Sequence, residues 1–146
     1  MMKKYSVIAF IVSAMLCFSF FTENNAAIQV RITGIESNNG QLALLLFKGG
    51  DGFPSDNTKA IRQVVIPAVS PVTVYTFSDL PMGTYAITVM HDENKNNELD
   101  TNMFGIPEEG IGVSNNALNM FGPPVFNECA FNLNGASAKV EIQLDY

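Results

Sequence analysis

Short stretches of alternating apolar and polar residues predict a chain rich in β-strands. Near the start, Ile28, Val30 and Ile32 alternate with polar residues, which is typical of a strand with one face toward solvent. Gln41–Phe47 is apolar at every position after the first, and the glycines that flank it favour a central strand over a helix. Residues 34–40 between these two strands are rich in Gly and Asn and predict a hairpin connection.

The most clearly defined pair of predicted strands covers residues 72–77 and 84–91. The first is rich in β-branched and aromatic residues, and the second places alternate side chains from Tyr85 to His91 on one face. The segment DLPMG between them has Pro and Gly at positions i+1 and i+3 of a type I turn. We therefore predict a β-hairpin here.

Three further strands complete the pattern. Residues 62–66 form an apolar run that ends at Pro67, residues 125–133 follow two consecutive prolines, and residues 140–146 alternate again. Beyond the N-terminal apolar run, no helical stripe longer than one turn is present. About seven short strands separated by Gly, Pro and Asn predict an all-β fold, a single β-sandwich domain.

The N-terminal residues have the three-part pattern of a secretory signal peptide. Lys3 and Lys4 precede an apolar run over residues 5–21, and small residues follow at 24–27. The run is shorter than the roughly 20 residues that a membrane-spanning helix needs, so cleavage is favoured over an anchor. We predict a signal peptide over residues 1–27, cut after Ala26 or Ala27. The β-sandwich domain would then cover residues 28–146 and be exported, either to the periplasm or as a secreted protein.

Removal of the signal peptide would leave a strongly acidic domain. Without Lys3, Lys4 and Glu23, the 8 basic and 14 acidic residues of the chain fall to 6 and 13, a net charge of −7. Such a surface repels phosphates and anionic headgroups, so we expect no nucleic acid partner. We also expect no membrane span once the signal peptide has been cleaved. One cysteine remains, Cys129. We interpret it as a small core residue because it lies in an apolar run and has no disulfide partner.

The residues most able to bind a ligand or to catalyse a reaction lie in the polar stretch 90–116. Oxygen-bearing side chains fall at relative positions 1, 3, 5, 7 and 9, namely Asp92, Asn94, Asn96, Glu98 and Asp100. EF-hand-type loops use these positions to ligate Ca²⁺, the seventh through its backbone carbonyl and the ninth often through water. These five residues are therefore candidate metal ligands, and Ca²⁺ is the cofactor that the spacing suggests.

Other positions in the same stretch limit the calcium interpretation. Asn97 stands where such loops usually carry Gly, and Asn is the best non-Gly residue for a left-handed turn. Met103 stands where a bidentate Glu is expected, so Glu108 or Glu109 would have to supply the missing ligands. We therefore expect a modest dissociation constant, on the order of 10⁻⁴ to 10⁻³ M. Asn and Asp also order loops without metal through Asx-turns, and this alternative stays open.

Several motifs of the chain resemble those of one family of exported bacterial proteins. They are FSDLP at 77–81, GTYAI at 83–87, HDEN at 91–94, LDTN at 99–102, FGIPEEG at 104–110 and SNN at 114–116. The family is the domain of unknown function 2141 family, and the resemblance covers nearly all of residues 28–146. It implies an exported β-sandwich of immunoglobulin-like or prealbumin-like type, and it implies no established reaction.

An enzymatic and two non-enzymatic functions are compatible with these residues. A hydrolase could use His91 as a general base with Asp92, Glu108 or Glu109 nearby, or Ser114 as a nucleophile. No G-x-S-x-G motif surrounds Ser114, however, and neighbours in sequence need not form a catalytic geometry. The hydrolase is therefore the alternative hypothesis rather than the preferred one.

A binding module would use the surface of the long loop. Its candidate apolar contact patch consists of Met103, Phe104, Ile106, Met120 and Phe121. The alternative is that these side chains pin the loop to its own domain. A structural spacer in the cell envelope or matrix is a third hypothesis. We favour a non-enzymatic binding or structural module, with an unidentified envelope or extracellular protein or glycan as its partner.

Overall fold

The computed structural model describes residues 26–119 and 122–146, which form two packed β-sheets. The strands are β1 (Ala26–Thr33), β2 (Gln41–Phe47), β3 (Arg62–Pro67), β4 (Val72–Leu80), β5 (Gly83–Asp92), β6 (Gly110–Val113), β7 (Phe131–Leu133) and β8 (Ser137–Gln143). Two short helical turns accompany them, a 3₁₀ turn at Ser114–Asn116 and α1 at Phe126–Cys129. The prediction of an all-β sandwich is confirmed.

The first sheet has three strands in the order β4-β1-β8. β1 runs antiparallel to β4 and parallel to β8, so Val30 lies between Tyr75 on one side and Val140 on the other. The alternating residues Ile28, Val30 and Ile32 are fully buried, as their pattern predicts. Each such side chain stabilises the fold by about 1.5 to 3 kcal/mol when it is withdrawn from water.

The second sheet runs in the order β3-β2-β5-β6, and β7 pairs with the first residues of β5. The apolar strand β2 lies between β3 and β5, which confirms its predicted central place. Leu42, Leu44 and Leu46 of β2 are buried between the sheets together with Tyr85 and Ile87 of β5. β5 is therefore anchored along its whole length, and its last residues lead into the polar loop.

A smaller apolar cluster covers the outer face of the second sheet. It combines Ala86, Val113 and Cys129, and Phe53 and Phe126 pack against it. The two phenylalanine rings meet edge to face with their centroids 5.7 Å apart. Cys129 is fully buried, so its predicted role as a small core residue is confirmed.

Neither predicted hairpin is present. β1 and β2 belong to different sheets, so residues 34–40 cross from one sheet to the other. β4 and β5 also lie in different sheets, since β4 pairs with β1 while β5 pairs with β2, β6 and β7. Alternation identifies the face that a strand buries, but it does not say which strand supplies the hydrogen bonds. Both links are corners of the sandwich.

The predicted strand over residues 125–133 is correct only in its second half. Its first half forms α1, in which the N–H groups of Glu128 and Cys129 donate to the Val125 carbonyl at 3.0 and 3.2 Å. A helical turn places Phe126 and Cys129, three residues apart, on the same side, whereas a strand would turn them to opposite faces. The need to cover the outer face of the second sheet therefore overrides the apolar pattern.

The predicted signal peptide, residues 1–27, lies almost wholly outside the described residues, and its cleavage stays a prediction. β1 includes both Ala26 and Ala27, and Ala26 is buried and pairs with Leu80. Within the described ranges, no helix is both long and apolar enough to cross a membrane.

Candidate functional site

The polar loop begins with a buried carboxylate, Asp92, at the end of β5. One of its oxygens accepts a hydrogen bond from the Asn96 N–H at 3.1 Å. The other accepts from the Asn97 N–H at 2.9 Å and from the Gln41 side-chain amide at 2.8 Å. Because Gln41 begins β2, Asp92 ties the loop to the neighbouring strand as well as to itself.

Hydrogen bonding decides the ionisation of Asp92. Burial by itself would raise the pKa of this carboxyl, but hydrogen bonds from Gln41 and from the loop backbone outweigh burial, and the pKa is lowered. Asp92 is therefore a carboxylate at neutral pH, and its lone pairs are directed at loop N–H groups.

Two asparagines continue the turn that Asp92 starts. Asn94 Oδ1 accepts from the Asn96 N–H at 2.9 Å, and Asn96 Oδ1 accepts from the Glu98 N–H at 2.8 Å. Lys95 and Asn97 have left-handed backbones with φ of 63° and 62°, which confirms the left-handed turn expected at Asn97. The alternate spacing thus builds Asx-turns, and each amide oxygen keeps a second lone pair.

Asp100 and Glu109 close the loop from its far end. Asp100 accepts hydrogen bonds from the side-chain amides of Asn94 at 2.5 Å and Asn96 at 3.0 Å. Glu109 is buried, and its two oxygens accept from the N–H groups of Glu93 at 3.1 Å and Asp100 at 3.2 Å. The second glutamate of the EEG motif therefore returns to the loop, which the sequence left undecided.

The loop encloses an open acidic cleft with a volume of about 460 Å³. The residues that line it are Asn39, Gly40, Glu93, Asn94, Asp100, Glu108 and Glu109. This lining contains four carboxylates and no lysine or arginine, so like charges face one another across the cleft. In the part of the chain that the structure describes, no three His, Cys, Asp or Glu side chains form a group placed to hold a metal ion.

The structure brings some of the five candidate metal ligands together. Asn94 and Asp100 line the cleft, and Asn96 contacts Asp100. Asp92 is buried with its oxygens on the loop backbone, while the Glu98 side chain is exposed. The cleft also includes residues outside the predicted set, namely Asn39, Gly40 and Glu93. Spacing within the loop could not reveal the first two, because they precede β2. Metal binding itself stays a prediction.

His91 is a structural residue at the base of this site. It is fully buried, and both ring nitrogens have partners. Nε2 lies 2.8 Å from the Asn39 carbonyl and must donate to it, so Nδ1 accepts from the Tyr146 hydroxyl at 2.6 Å. The same hydroxyl accepts from the Glu36 N–H at 3.3 Å. No ring nitrogen is left for proton transfer to a substrate.

The Ser114 hydroxyl is also fully hydrogen-bonded within the protein. Ser114 is buried, and its hydroxyl donates to the Cys129 carbonyl at 2.6 Å and accepts from the Ile87 N–H at 3.0 Å. The pairing of β5 with β6 sets Ser114 beside Ile87, four residues from His91, or about 13 Å along the strand. Burial, assisted by Glu128, raises the pKa of the Cys129 thiol to about 11, so the thiol stays protonated. Ser114 and His91 are therefore not brought together, whereas the pairing of β5 with β6 sets Gly110, and with it Glu109, beside His91.

The loop also carries an exposed turn, residues 102–106, which we call the tip. The Asn102 side-chain oxygen accepts from the N–H groups of Phe104 at 2.9 Å and Ile106 at 3.2 Å. The Asn102 N–H donates to the Ile106 carbonyl at 2.9 Å, and the Gly105 N–H donates back to the Asn102 carbonyl at 2.9 Å. One asparagine thus holds the whole turn.

The apolar side chains of the tip point into solvent. Met103, Phe104 and Ile106 are 89%, 79% and 58% exposed. They do not pin the loop to its own domain, which was one of the two interpretations of this patch. The other two residues of the predicted patch, Met120 and Phe121, lie outside the described residues.

Fold and site together define a small β-sandwich protein with an acidic, asparagine-rich loop at one end. The family described as "Uncharacterized protein conserved in bacteria (DUF2141)" matches residues 30–141. The chain belongs to this family, as its motifs predict. No curated protein and no solved structure matches the chain.

Proposed function

We propose that this protein is a non-enzymatic binding or structural module whose acidic cleft takes up a calcium ion. The observation that carries the proposal is that four carboxylates share one open cleft whose lining has no lysine or arginine. A divalent cation would relieve their mutual repulsion. Flexible oxygen ligands of this kind suit Ca²⁺ better than Mg²⁺, which demands near-ideal octahedral geometry.

The proposed ligands combine the predicted loop residues with the returning glutamates. Asp100 and Asn94 would contact the ion from the cleft wall, and Glu109 or Glu108 would replace the ligand missing at Met103. The amide nitrogens against Asp100 now supply partial positive charge to its oxygens. A cation would replace them, and the free lone pairs of the asparagine oxygens would then be available as ligands. Asp92, Asn96 and the Glu98 carbonyl complete the set.

Two further features support the broader assignment. In the hydrolase alternative, the base His91 and the nucleophile Ser114 are both buried side chains whose polar atoms already have hydrogen-bond partners. The lysine pair, apolar run and small residues at the N-terminus support export to the periplasm or the medium. A modest calcium site is of use outside the cytoplasm, since extracellular calcium modules bind in the range of about 10⁻⁴ to 10⁻³ M.

Thermal unfolding of the purified protein tests calcium uptake. Adding 10 mM CaCl₂ to protein treated with EDTA should stabilise it by about 1.5 to 2.5 kcal/mol, which raises the melting temperature by roughly 5 to 10 °C. MgCl₂ at the same concentration should give a smaller shift. EDTA in excess should reverse the calcium shift.

A matched pair of variants assigns the shift to the cleft. Asp100→Asn removes one carboxylate of the site, and Asp79→Asn makes the same change at an exposed residue near the other end of β5. We expect Asp100→Asn to lose most of the calcium shift and Asp79→Asn to keep it. If calcium leaves the melting temperature of the wild type unchanged, or if both variants keep the full shift, the calcium proposal is wrong.

A further inference from the structure

We propose that the tip is a docking element that inserts into an apolar pocket on a partner protein, and that lysine and arginine side chains rim this pocket. The inference rests on the binding-module function proposed above and names the chemistry of the partner. Its apolar contacts are separate from calcium uptake, because they use the side chains of the tip, whereas the charge around the tip includes Asp100 and Glu108, which also line the cleft.

The apolar side chains of the tip are exposed. Met103 and Phe104 are 89% and 79% exposed, and Ile106 is 58% exposed only two residues further on. Single exposed apolar residues are common on monomers, but three large ones within four positions form a patch that marks an interaction site. Burial of such side chains on a partner supplies a driving force that the free protein does not use.

The backbone of the tip is ordered without the help of its apolar side chains. Asn102 fixes the turn through its own hydrogen bonds. Below the turn, Thr101 bridges to Pro107, and the Glu108 N–H donates to the Asp100 carbonyl at 2.9 Å. The side chains are therefore presented on a rigid hairpin-like stem, and a preorganised element loses little conformational entropy when it docks.

The charged residues around the tip are acidic. No lysine or arginine occurs between Lys95 and Lys139, and the stem below the tip carries Asp100 and Glu108. A negative rim around an apolar tip is complementary to a positive rim around an apolar pocket. The same charge disfavours an anionic membrane, and it disfavours a second copy of this chain, whose tip would carry like charge.

A synthetic peptide of lysine and leucine that forms a cationic amphipathic helix provides a probe for this chemistry. Fluorescence anisotropy should show binding of the labelled peptide to the purified protein at low salt. A glutamate and leucine peptide of the same pattern should bind at least tenfold more weakly. High salt should weaken the lysine peptide, because part of the attraction is between exposed charges.

Matched variants separate the tip from general acidity. Met103→Ala with Phe104→Ala should weaken binding of the lysine peptide at least tenfold. Met82→Ala with Val74→Ala truncates apolar residues that are 44% and 53% exposed elsewhere, and it should leave binding within twofold of wild type. All four residues are exposed, so melting temperatures should change little. Equal peptide binding by the tip variant and the wild type would overturn the proposal.

Two other occupants of the tip are tested with the same variants. The first is a membrane, detected as sedimentation of the protein with zwitterionic or anionic vesicles, and the second is another copy of the chain, detected as concentration-dependent dimer formation in the ultracentrifuge. Either result would overturn the proposal if the wild type showed it and the tip variant did not. The peptide assay is run both in EDTA and in 10 mM CaCl₂. Tip-dependent peptide binding without a calcium-dependent shift in melting temperature would support the docking proposal and refute the calcium proposal. A calcium-dependent shift without tip-dependent peptide binding would refute the docking proposal alone.

Discussion

A single buried side chain, Asp92, joins three parts of the chain in this protein. Its carboxylate accepts from two loop N–H groups and from Gln41 on β2. The Asn96 N–H and the Gln41 amide each have a second acceptor, the side-chain oxygens of Asn94 and Asn97. Loss of the carboxylate would therefore leave the Asn97 N–H without its acceptor and would break the link between the loop and β2.

We expect Asp92→Ala to lower the free energy of unfolding by about 2 to 4 kcal/mol at pH 7. Exposed Glu98→Ala should change it by less than about 0.5 kcal/mol. The pKa of Asp92 in the folded protein is lowered from its ordinary value of 3.8, so its ionised form stabilises the fold above that value. This stabilisation is lost as pH falls through the lower folded pKa.

Urea unfolding at a series of pH values measures this dependence. The difference between wild type and Asp92→Ala should be constant near neutral pH and shrink as the pH falls below about 4. A gap that widens in acid would contradict the assigned direction of the pKa.

At the scale of elements, the loop depends on its contact with the link before β2. Gly40 has φ of 70°, and a Cβ atom there would lie 2.0 Å from the Asp92 carbonyl oxygen and 2.4 Å from the Glu93 Cα. Both neighbours are backbone atoms at the end of β5. Gly40 therefore allows the two chain segments to approach closely at the cleft wall.

Gly40→Ala should destabilise the protein by roughly 3 kcal/mol or more, because it adds a backbone clash to the cost of a left-handed alanine. Gly49→Ala is the matched control. Gly49 also has a positive φ, 96°, but a Cβ there meets nothing within 4 Å, so it should cost only about 1 to 2 kcal/mol. Chemical denaturation of both variants checks the difference. Equal losses would mean that the close approach at Gly40 is relieved elsewhere.

The limits of sequence-based prediction are also clearest at this scale. Alternation located β1 and β5 and their buried faces, because burial on one side of a strand has a period of two. The continuous apolar run at 41–47 located β2. Alternation did not identify strand partners, so the β4–β5 hairpin was wrong. The Asx-turns and the left-handed Asn97 were predictable from local chemistry. The return of Glu109 and the outward tip were not, since both depend on contacts between distant segments.

At the scale of the whole molecule, the acidic sandwich is proposed to work outside the cytoplasm. To test this, the full chain is expressed in a bacterial host, and the mass of the protein recovered from the periplasm and the medium is measured. We expect cleavage after Ala26 or Ala27. Leu16→Arg, which interrupts the apolar run, should keep the uncut chain inside the cell. Uncut wild-type protein confined to the cytoplasm would contradict export.

The pairing of β1 with β8 has a consequence for when this protein can fold. The two strands lie side by side and parallel, yet Arg31 and its partner Glu141 are separated by 110 residues. During synthesis the earlier strand emerges long before its neighbour, and contacts over such a distance form slowly. The first sheet can therefore be completed only after β8 is made. This order of events is compatible with the export proposed above, in which the chain would cross a membrane as an extended polymer and fold afterwards.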